Sequence, residues 1–421
     1  MPRLLYTLLW ILALPAVMLR LLWRGRAQPG YRAHVAERLG RYGPPATGPS
    51  LWVHAVSVGE TRAAQPLVDA LVQACPAHHI VLTHMTPTGR DTALAVFGHY
   101  GDRVRSVYLP YDLPWLQRRF LRHFRPQLGI VMETEVWPNL MAACDALDVP
   151  CALVNARLSE RSARRYLRLS RLARETFARF RLVAAQSEAD AARLKRIGAT
   201  EPVVTGNIKF DMALPAAAAA LGREWRATIG TRSVILAAST REGEEAPILD
   251  AFKAHPARDS ALLIIVPRHP QRFDAVAAQV GAASLRLGRR SAAAPPSPEV
   301  AVWLGDSMGE MAAYYTLADV VLMGGTWLPF GGQNLIECCA AGRPVLLGPH
   351  TYNFSDASEA ALTAQAALRF ETVDEAMRTA FDLLGDAPRR QAMGAAGQHF
   401  AQQHGGATAR TLDLLKPLIK G

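Results

Sequence analysis

The chain has 421 residues, half of them hydrophobic and a fifth charged, so it is too long for one ordinary core and too apolar for a disordered protein. Its five cysteines are odd in number and show no CxxC spacing, which argues against a zinc site or a disulfide framework and favours a reducing compartment. The net charge of +11 favours an anionic partner. A membrane surface or a phosphate fits better than nucleic acid, because the sequence contains no RNP motif, zinc finger or basic-aromatic platform.

The N-terminus predicts a membrane anchor. Leu4–Trp23 is an apolar run of 20 residues, which as a helix measures about 30 Å, the thickness of the hydrocarbon core of a bilayer. We interpret residues 1–26 as an anchor that either spans the bilayer or lies deep in its interface. A cleaved signal peptide fits less well, because no small-x-small cleavage site follows. Only Arg3 precedes the run and several arginines lie towards and beyond its end, so the globular part is expected in the cytoplasm.

Two blocks of short apolar runs, each run followed by a helical pattern, predict two parallel α/β domains. The predicted strands of the first block are Leu51–Val56, His79–Met85, Val104–Leu109, Leu128–Met132, Ala152–Val154, Leu182–Ala185 and Pro202–Thr205. Those of the second block are Val234–Ala238, Leu262–Val266, Val302–Leu304, Val320–Met323 and Pro344–Leu347. We predict a first domain over 27–211, an alanine-rich linker over 212–222 and a second domain over 223–421, whose last helix could pack back on the first. The predicted fold class is two Rossmann-like, doubly wound domains with a cleft between them, plus the anchor helix.

The first motif with possible chemistry is HAVSVGET, residues 54–61, at the end of the first predicted strand. Ser57 and Glu60 have the spacing of a capping box, and from spacing alone this structural interpretation is the stronger one. Gly59 permits a ligand to approach the backbone, and ligands of doubly wound sheets bind at the carboxyl ends of strands. Glu60 could therefore act as a base on a bound hydroxyl, provided that partial burial offsets the acid-stabilising helix N-terminus. Both interpretations remain open.

The second motif is GGTWLPFGGQNLIECCAAGRP, residues 324–344. A strand ends in two glycines, a second Gly-Gly pair follows, and a helix is predicted to begin near Gln333, where unpaired N–H groups would bind a phosphate. Asn334 and Glu337 are three residues apart and should lie on one face of the first turn. Such residues would suit the phosphate and the ribose of a nucleotide, whereas an ordinary Gly-rich loop is the structural alternative.

Other polar segments follow predicted strands. Arg268 and His269 follow the strand that ends at Val266, and arginine suits a phosphate or a nucleotide base, although a solvated loop is an equal alternative. The segment 305–311, GDSMGEM, could surround a base or a ribose. Glu133 and Lys209 lie in weaker motifs that, taken alone, are more typical of structure than of catalysis.

Taken together these motifs resemble those of the 3-deoxy-D-manno-octulosonic acid (Kdo) transferases of lipopolysaccharide assembly. The resemblance extends over essentially the whole chain, through HAVSVGET, METEVWPN, NARLSERS, TGNIKFD, PRHPQRF, GDSMGEM and GGTWLPFGGQNLIE in that order. It implies a GT-B fold, a CMP-Kdo donor on the second domain, a lipid A precursor on the first, and Glu60 as the proton acceptor, with Glu133 and Lys209 in support of the transition state. It further implies that CMP is contacted by Pro267, Arg268, His269, Met308, Gly309, Glu310, Asn334, Leu335, Ile336 and Glu337.

The resemblance also implies an inverting transfer at the inner membrane that needs no metal and no cofactor besides the donor sugar nucleotide. A basic patch, together with the anchor, would hold the acidic acceptor and the anionic lipid of the membrane; its candidate residues are Arg161, Arg164, Arg165 and Arg168. Two alternatives from other classes remain. One is a different GT-B transferase or an epimerase that uses a UDP-sugar, and the other is a membrane protein that binds lipid phosphates without catalysis.

Overall fold

The structure is a computed structural model that describes residues 2–44, 48–211, 216–292 and 296–419. Contacts divide the chain into two compact units, one formed by Met1–Met212 with Gly405–Gly421 and one formed by Ala213–His404. Each unit is built around a parallel sheet that is covered by helices.

In the first unit the described residues form a seven-stranded parallel sheet with the order β3-β2-β1-β4-β5-β6-β7. The strands are buried on both faces because helices cover both sides, as their continuous apolar runs predict. Their bounds are β1 Ser50–His54, β2 His79–His84, β3 Val104–Tyr108, β4 Pro126–Met132, β5 Cys151–Ala156, β6 Leu182–Ala185 and β7 Val203–Val204.

The helices up to the end of β7 are α1 Pro2–Ala27, α2 Val35–Arg38, α3 Val58–Ala63, α4 Gln65–Ala74, α5 Pro87–Phe97, α6 Pro114–Phe124, α7 Pro138–Ala146, α8 Glu160–Arg168, α9 Ser170–Phe177 and α10 Glu188–Ile197. The helical pattern after β1 is divided in two, because α3 ends at Ala63 and a separate helix starts at Gln65. Pro66 explains the break, because proline has no N–H to donate and is tolerated only in the first turn of a helix.

The second unit repeats the architecture. Its described residues form a parallel sheet with the order β10-β11-β9-β8-β12-β13-β14. The strand bounds are β8 Ser233–Thr240, β9 Ala261–Pro267, β10 Leu287–Arg289, β11 Val302–Leu304, β12 Val320–Met323, β13 Val345–Leu347 and β14 Ala367–Arg369. Its helices are α11 Ala216–Ile229, α12 Glu245–Ala254, α13 Phe273–Ala282, α14 Met311–Leu317, α15 Ile336–Ala340, α16 Ser355–Thr363, α17 Val373–Gly385 and α18 Ala387–Gln403.

Every predicted strand is present in the structure, and two further strands were missed. The missed strands, β10 and β14, are three residues long, lie at the two edges of the second sheet and are only partly buried. Edge strands of this length lack the continuous apolar run that marks a buried strand, so the sequence pattern does not reveal them.

The domain boundaries differ from the predicted ones at both ends of the second unit. The predicted linker 212–222 is not irregular throughout, because α11 begins at Ala216; residues 212–215 lie outside the described part of the chain. Gly222 brings α11 close to α14, where a Cβ would clash with the Ala313 carbonyl oxygen. Trp225 packs on Tyr314 with ring centroids 5.0 Å apart, so packing on α14 stabilises this helix.

At the other end, the second domain ends earlier than predicted, because residues from Gly405 onwards join the first unit; this agrees with the expectation that the last helix could pack on the first domain. The final helix, α19 Ala407–Leu415, contributes Ala407 and Leu415 to the core of the first unit. The Asp211 carboxylate accepts hydrogen bonds from the backbone N–H groups of Gly406 and Thr408, at the start of this helix. Buried apolar contact and helix capping thus return the chain to the first sheet.

Candidate active site

The strand order of the first sheet reverses between β1 and β4. These two strands are adjacent in the sheet although β2 and β3 separate them in the sequence. Ligands of doubly wound sheets bind at such a switch point, outside the carboxyl ends of the strands. Glu60 follows β1, and both Glu133 and Glu135 follow β4. The structure therefore brings these carboxylates, which are distant in the sequence, to one end of the first sheet.

Glu60 lies in the first turn of α3, which Ser57 caps by accepting a hydrogen bond from the Glu60 N–H at 3.4 Å. The Glu60 carboxylate accepts a hydrogen bond from the Val56 N–H at 2.8 Å and one from the Ser57 hydroxyl at 3.2 Å. Burial above all, together with the nearby negative charges of Glu133 and Glu135, nevertheless raises the pKa of Glu60 to about 7 against those hydrogen bonds. Glu60 thus belongs to a helix cap and also carries a carboxyl group whose protonation changes near neutral pH.

Glu133 and Lys209 form an ion pair, with 2.8 Å between the Lys209 Nζ and the Glu133 Oε1. Glu133 has a left-handed backbone (φ 55°), as does Asn155 (φ 50°) at the end of the neighbouring strand. The Asn155 side chain accepts a hydrogen bond from the Ile208 N–H at 3.0 Å and so holds the segment that carries Lys209. Non-glycine residues in this conformation cost free energy and concentrate at functional sites. Glu133 and Lys209, whose motifs are weak when taken alone, are thus joined by a specific ion pair.

Two histidines lie buried below this end of the sheet. Burial lowers the pKa of His54 to about 3 and that of His84 to about 4, so both are neutral at physiological pH. His54 Nδ1 lies 2.8 Å from the Thr83 hydroxyl, and His84 Nδ1 lies 2.8 Å from the Ala55 carbonyl oxygen. They join β1 to β2 and support the turn that carries Glu60. Neither histidine was predicted from the sequence, although His54 begins the first motif.

A second switch point lies in the second unit, between β8 and β12. The buried Glu244 organises the loops there by accepting hydrogen bonds from the N–H groups of Arg241 (2.8 Å), Gly325 (2.7 Å) and Trp327 (3.1 Å). Ser239, at the end of β8, has a left-handed backbone (φ 56°). This segment was not predicted from the sequence, where its signal is the polar run over 239–245 after the first strand of the second block.

Arginines surround His269 at the same end of the second sheet. Burial lowers the pKa of His269 below its usual value, and the positive charges of Arg241, Arg268 and Arg272 lower it further. The Arg268 N–H donates to the Thr240 carbonyl oxygen at 3.0 Å, which joins the loop after β9 to the end of β8. Such a concentration of positive charge at the carboxyl ends of strands suits an anionic ligand.

The Gly-rich segment after β12 reaches its helix later than predicted, because α15 begins at Ile336 rather than near Gln333. Gly331 and Gly332 have left-handed backbones (φ 89° and 85°), which prolong the loop. The Asn334 side chain accepts a hydrogen bond from the Ile336 N–H at 3.1 Å and donates one to the Glu337 carboxylate at 3.0 Å.

The other predicted nucleotide contacts differ in accessibility. Leu335 and Ile336 are buried, so only their backbone groups remain to contact a ligand. Met308 is exposed and Gly309 has a left-handed backbone (φ 84°). The Glu310 carboxylate pairs with Arg290 at 2.8 Å and accepts a hydrogen bond from Ser307, so it holds its own loop together. Pro267 is the buried last residue of β9.

The predicted basic patch lies on α8. Arg161, Arg164, Arg165 and Arg168 are exposed there, and Arg164 pairs with Glu160 at 3.3 Å. Below them Thr134, Arg157, Ser159, Ser162 and Tyr166 help to line a small polar cavity. Among residues 2–44, 48–211, 216–292 and 296–419, no group of three or more His, Cys, Asp or Glu side chains is placed to hold a metal ion.

Comparisons with known proteins show which family the chain is similar to. Residues 33–212 match the family model described as 3-Deoxy-D-manno-octulosonic-acid transferase (kdotransferase). The chain is 47% identical over 407 residues to a 3-deoxy-D-manno-octulosonic acid transferase of Bordetella pertussis, with 94% of both chains covered. It is 37% identical over 430 residues to the Haemophilus influenzae enzyme of the same name, with 99% of both covered.

A solved structure supports the fold. The UDP-GlcNAc 2-epimerase of Neisseria meningitidis superposes with a TM-score of 0.61 at 16% identity, over 87% of this chain and all of that one. At this identity the likeness concerns the fold alone. The relatives, the matched family and the two parallel sheets together show that the chain belongs to the 3-deoxy-D-manno-octulosonic acid transferase family of GT-B glycosyltransferases.

Proposed function

We propose that the chain transfers Kdo from CMP-Kdo to the lipid A precursor lipid IVA in lipopolysaccharide synthesis, with Glu60 as the general base. The observation that carries the proposal is the Glu60 carboxyl group, whose pKa is raised to about 7 at the switch point of the first sheet. A base works best when its pKa lies near the working pH, because it is then partly ionised and still basic enough to accept a proton.

The chemistry follows from these residues. Glu60 removes the proton from an acceptor sugar hydroxyl, whose oxygen attacks the anomeric C2 of Kdo. The bond from C2 to the phosphate oxygen breaks, CMP leaves with the electron pair, and attack from the opposite face inverts the configuration. Glu133 and Lys209 support the transition state, and their 2.8 Å ion pair holds a positive charge at the end of the first sheet.

The second unit binds the donor in this proposal. Arg241, Arg268 and His269 supply positively charged or hydrogen-bonding groups for the CMP phosphate, and they neutralise the charge of the leaving group without a metal. Asn334 binds the phosphate and Glu337 binds the ribose. The two side chains are already joined by a hydrogen bond, which holds them beside each other. Met308, Gly309 and Glu310 complete the site, with Glu310 positioning its loop through Arg290.

The first unit binds the acceptor in this proposal. The lipid A precursor carries phosphates and acyl chains, so a protein that binds it needs cationic side chains close to the membrane surface. The exposed arginines of α8 supply the cations, and α1 is long and apolar enough to cross a membrane by length and composition. The protein thus acts at the cytoplasmic face of the inner membrane.

The decisive experiment incubates the purified full-length protein with CMP-Kdo and lipid IVA and follows the lipid by mass spectrometry. We expect a mass increase of one or more Kdo units, together with the release of CMP. An unchanged lipid under conditions where CMP binds would contradict the proposed acceptor. In parallel, isothermal titration should show binding of CMP in preference to UDP. Preference for UDP would favour a UDP-sugar enzyme, and binding of neither nucleotide would favour a lipid-phosphate binding protein.

A further inference from the structure

The N-terminal helix α1 has one face packed on the first unit and one exposed apolar face. The less exposed residues recur at every third or fourth position, the period of one helix face, and are Tyr6, Thr7, Trp10, Leu14, Val17, Met18 and Leu21. The exposed face is equally regular and strongly apolar, and it consists of Leu4, Leu5, Leu8, Leu9, Ile11, Leu12, Leu19, Leu22 and Trp23. We call this second set the apolar stripe of α1.

The packed face begins near the N-terminal end of the helix and includes polar contacts. The Thr7 hydroxyl donates a hydrogen bond to the Asn139 side-chain oxygen at 3.1 Å. Tyr6 makes a side-chain hydrogen bond with Asp112, a buried residue. The Trp10 indole N–H in turn donates to the Tyr6 hydroxyl at 2.7 Å. The first two turns of α1 are therefore tied to the globular unit by specific hydrogen bonds.

Apolar contacts continue this packing along the helix. Trp10, Leu14, Val17 and Met18 pack against the buried cluster of Tyr111, Leu113 and Leu116, and the Trp10 and Tyr111 ring centroids lie 6.0 Å apart. Leu21 is buried near the other end of the helix. Contact thus extends from residue 6 to residue 21, a length of about 22 Å.

This packing conflicts with a helix that crosses the bilayer. A spanning helix would place its first turns on the far side of the membrane from the globular unit, yet those turns contact Asp112 and Asn139. If the contacts persisted, the unit and the basic helix α9, which also contacts α1, would lie at the depth of the hydrocarbon. Charged and polar groups are strongly disfavoured there, so the contacts and a spanning orientation exclude each other.

The surface around the stripe fits an anionic bilayer. Leu169 is 65% exposed in the turn between α8 and α9, and Arg168 and Arg171 flank it. Trp115 is 53% exposed and lies between Leu113 and Leu116, which pack on α1. Apolar and aromatic residues surrounded by arginines are typical of proteins that lie in a membrane interface, because the chains enter the acyl boundary while the cations contact anionic head groups.

We propose that α1 is an in-plane anchor. It lies parallel to one leaflet of an anionic bilayer, with its apolar stripe in the acyl boundary and its packed face on the first unit. Both ends of α1 then stay on the same side of the membrane as the globular units. The inference does not depend on the proposed transferase activity, because it rests on the packing and the charges of the first unit alone.

The topology is tested by labelling with a membrane-impermeant maleimide in intact and lysed spheroplasts. Arg3→Cys reports the N-terminal end of α1 and Arg378→Cys, on the exposed surface of α17, reports the globular part. Both are placed in full-length protein with Cys75→Ser, because Cys75 is the partly exposed native thiol among the described cysteines. Labelling of both sites under the same condition supports an in-plane helix, and labelling of Arg3→Cys on the opposite side from Arg378→Cys overturns it.

The membrane contact is tested by sedimentation with vesicles of phosphatidylcholine and phosphatidylglycerol. Leu12→Glu changes the most exposed leucine of the stripe (77%), and Leu94→Glu makes the same change at an exposed leucine of α5 (57%). We expect Leu12→Glu to weaken binding to the vesicles about tenfold or more, whereas Leu94→Glu should bind as the wild type does. Neither substitution should change the melting temperature. Unchanged binding of Leu12→Glu would overturn the proposal, as would equally strong binding of the wild type to pure phosphatidylcholine vesicles.

Discussion

At the scale of single residues, Glu60 is subject to opposing influences. The helix N-terminus, the Val56 N–H and the Ser57 hydroxyl favour the ionised carboxylate, whereas burial and two neighbouring carboxylates favour the protonated form. Burial dominates, since the pKa is raised from 4.5 to about 7. Capping and proton transfer are therefore compatible, because Ser57 caps the backbone while the Glu60 carboxylate remains titratable.

The first prediction concerns catalysis by Glu60. Glu60→Gln should keep CMP binding and lose transfer by about two or more orders of magnitude, the scale of general base catalysis. In the wild type, kcat/KM should rise with pH through about 7, because only the ionised carboxyl group accepts the proton. Steady-state kinetics from pH 5 to 9 measure both effects. Near-normal turnover of Glu60→Gln, with calorimetry confirming that CMP still binds, would remove Glu60 as the base.

The second prediction concerns stability. The folded-state pKa of Glu60 is above its unfolded value, so the group contributes stability below about pH 4.5 that is lost as the pH rises through about 7. Glu60→Gln has no such loss and should be more stable than the wild type by up to about 3 kcal/mol at pH 8, with the difference vanishing near pH 4. Urea unfolding at both pH values measures this. The exposed Glu371→Gln is the matched control, and a pH-independent difference for Glu60→Gln would contradict the raised pKa.

The third prediction concerns the neighbour Glu133, whose negative charge raises the pKa of Glu60. Glu133→Gln removes that charge, so the rise of kcat/KM with pH should move to lower pH. A merely structural role of Glu133 would lower the rate without moving the profile. The profile of Glu242→Gln, an exposed carboxylate of the second unit, should remain at the wild-type position.

At the scale of secondary-structure elements, α8 is distinguished by its exposed arginines at the surface of the first unit. The fourth prediction is that Arg161→Glu, Arg165→Glu or Arg168→Glu raises the KM for a lipid acceptor severalfold, because each replaces an attraction for phosphate by a repulsion. Kinetics with acceptor in mixed micelles measure it. Arg378→Glu on α17 makes the same change of charge and should leave this KM unaltered. Equal KM values for all of these variants would show that α8 does not bind the acceptor.

The strand ends show how elements position the site. Glu133 directly follows β4, and Asn155 and Ser239 are the penultimate residues of β5 and β8; all three have left-handed backbones at the carboxyl end of a strand. Hydrogen bonds from neighbouring loops, such as the Ile208 N–H to Asn155, hold these residues in place. The sheets thus provide the rigid support on which strained loop residues present their side chains.

At the scale of the whole molecule, the chain leaves the first unit, forms the second and returns. The return depends on Asp211, whose carboxylate accepts hydrogen bonds from Gly406 and Thr408, and on Arg410, which donates to the Thr205 carbonyl oxygen at 2.8 Å. Together with the buried Ala407 and Leu415 these contacts make the C-terminal segment part of the first core.

The fifth prediction follows from this return. Asp211→Ala should lower the free energy of unfolding by about 1–3 kcal/mol, since it leaves backbone N–H groups at the start of α19 without their acceptor. Thermal and urea unfolding of the full-length protein measure the change. Asp374→Ala, in the exposed first turn of α17, is the control and should change stability much less. Equal stability of both variants would show that the return contacts are dispensable.

The sequence by itself determined the elements whose signals are local. Buried parallel strands are continuous apolar runs, so the predicted strands were confirmed, while the short edge strands β10 and β14 were not found. Family membership was also readable from the motifs, and the relatives confirm it. Ser57 could be proposed as a helix cap because capping depends on residues three apart.

Tertiary structure decided everything that depends on residues far apart in the chain. The pKa of Glu60 depends on burial and on carboxylates from another strand end, and the Glu133–Lys209 pair joins residues 76 positions apart. The contacts that return residues 405–421 to the first unit and those that pack α1 on it join residues far apart in the chain. Local periodicity reports which residues are apolar, whereas burial and charge are set by which elements meet in the folded chain.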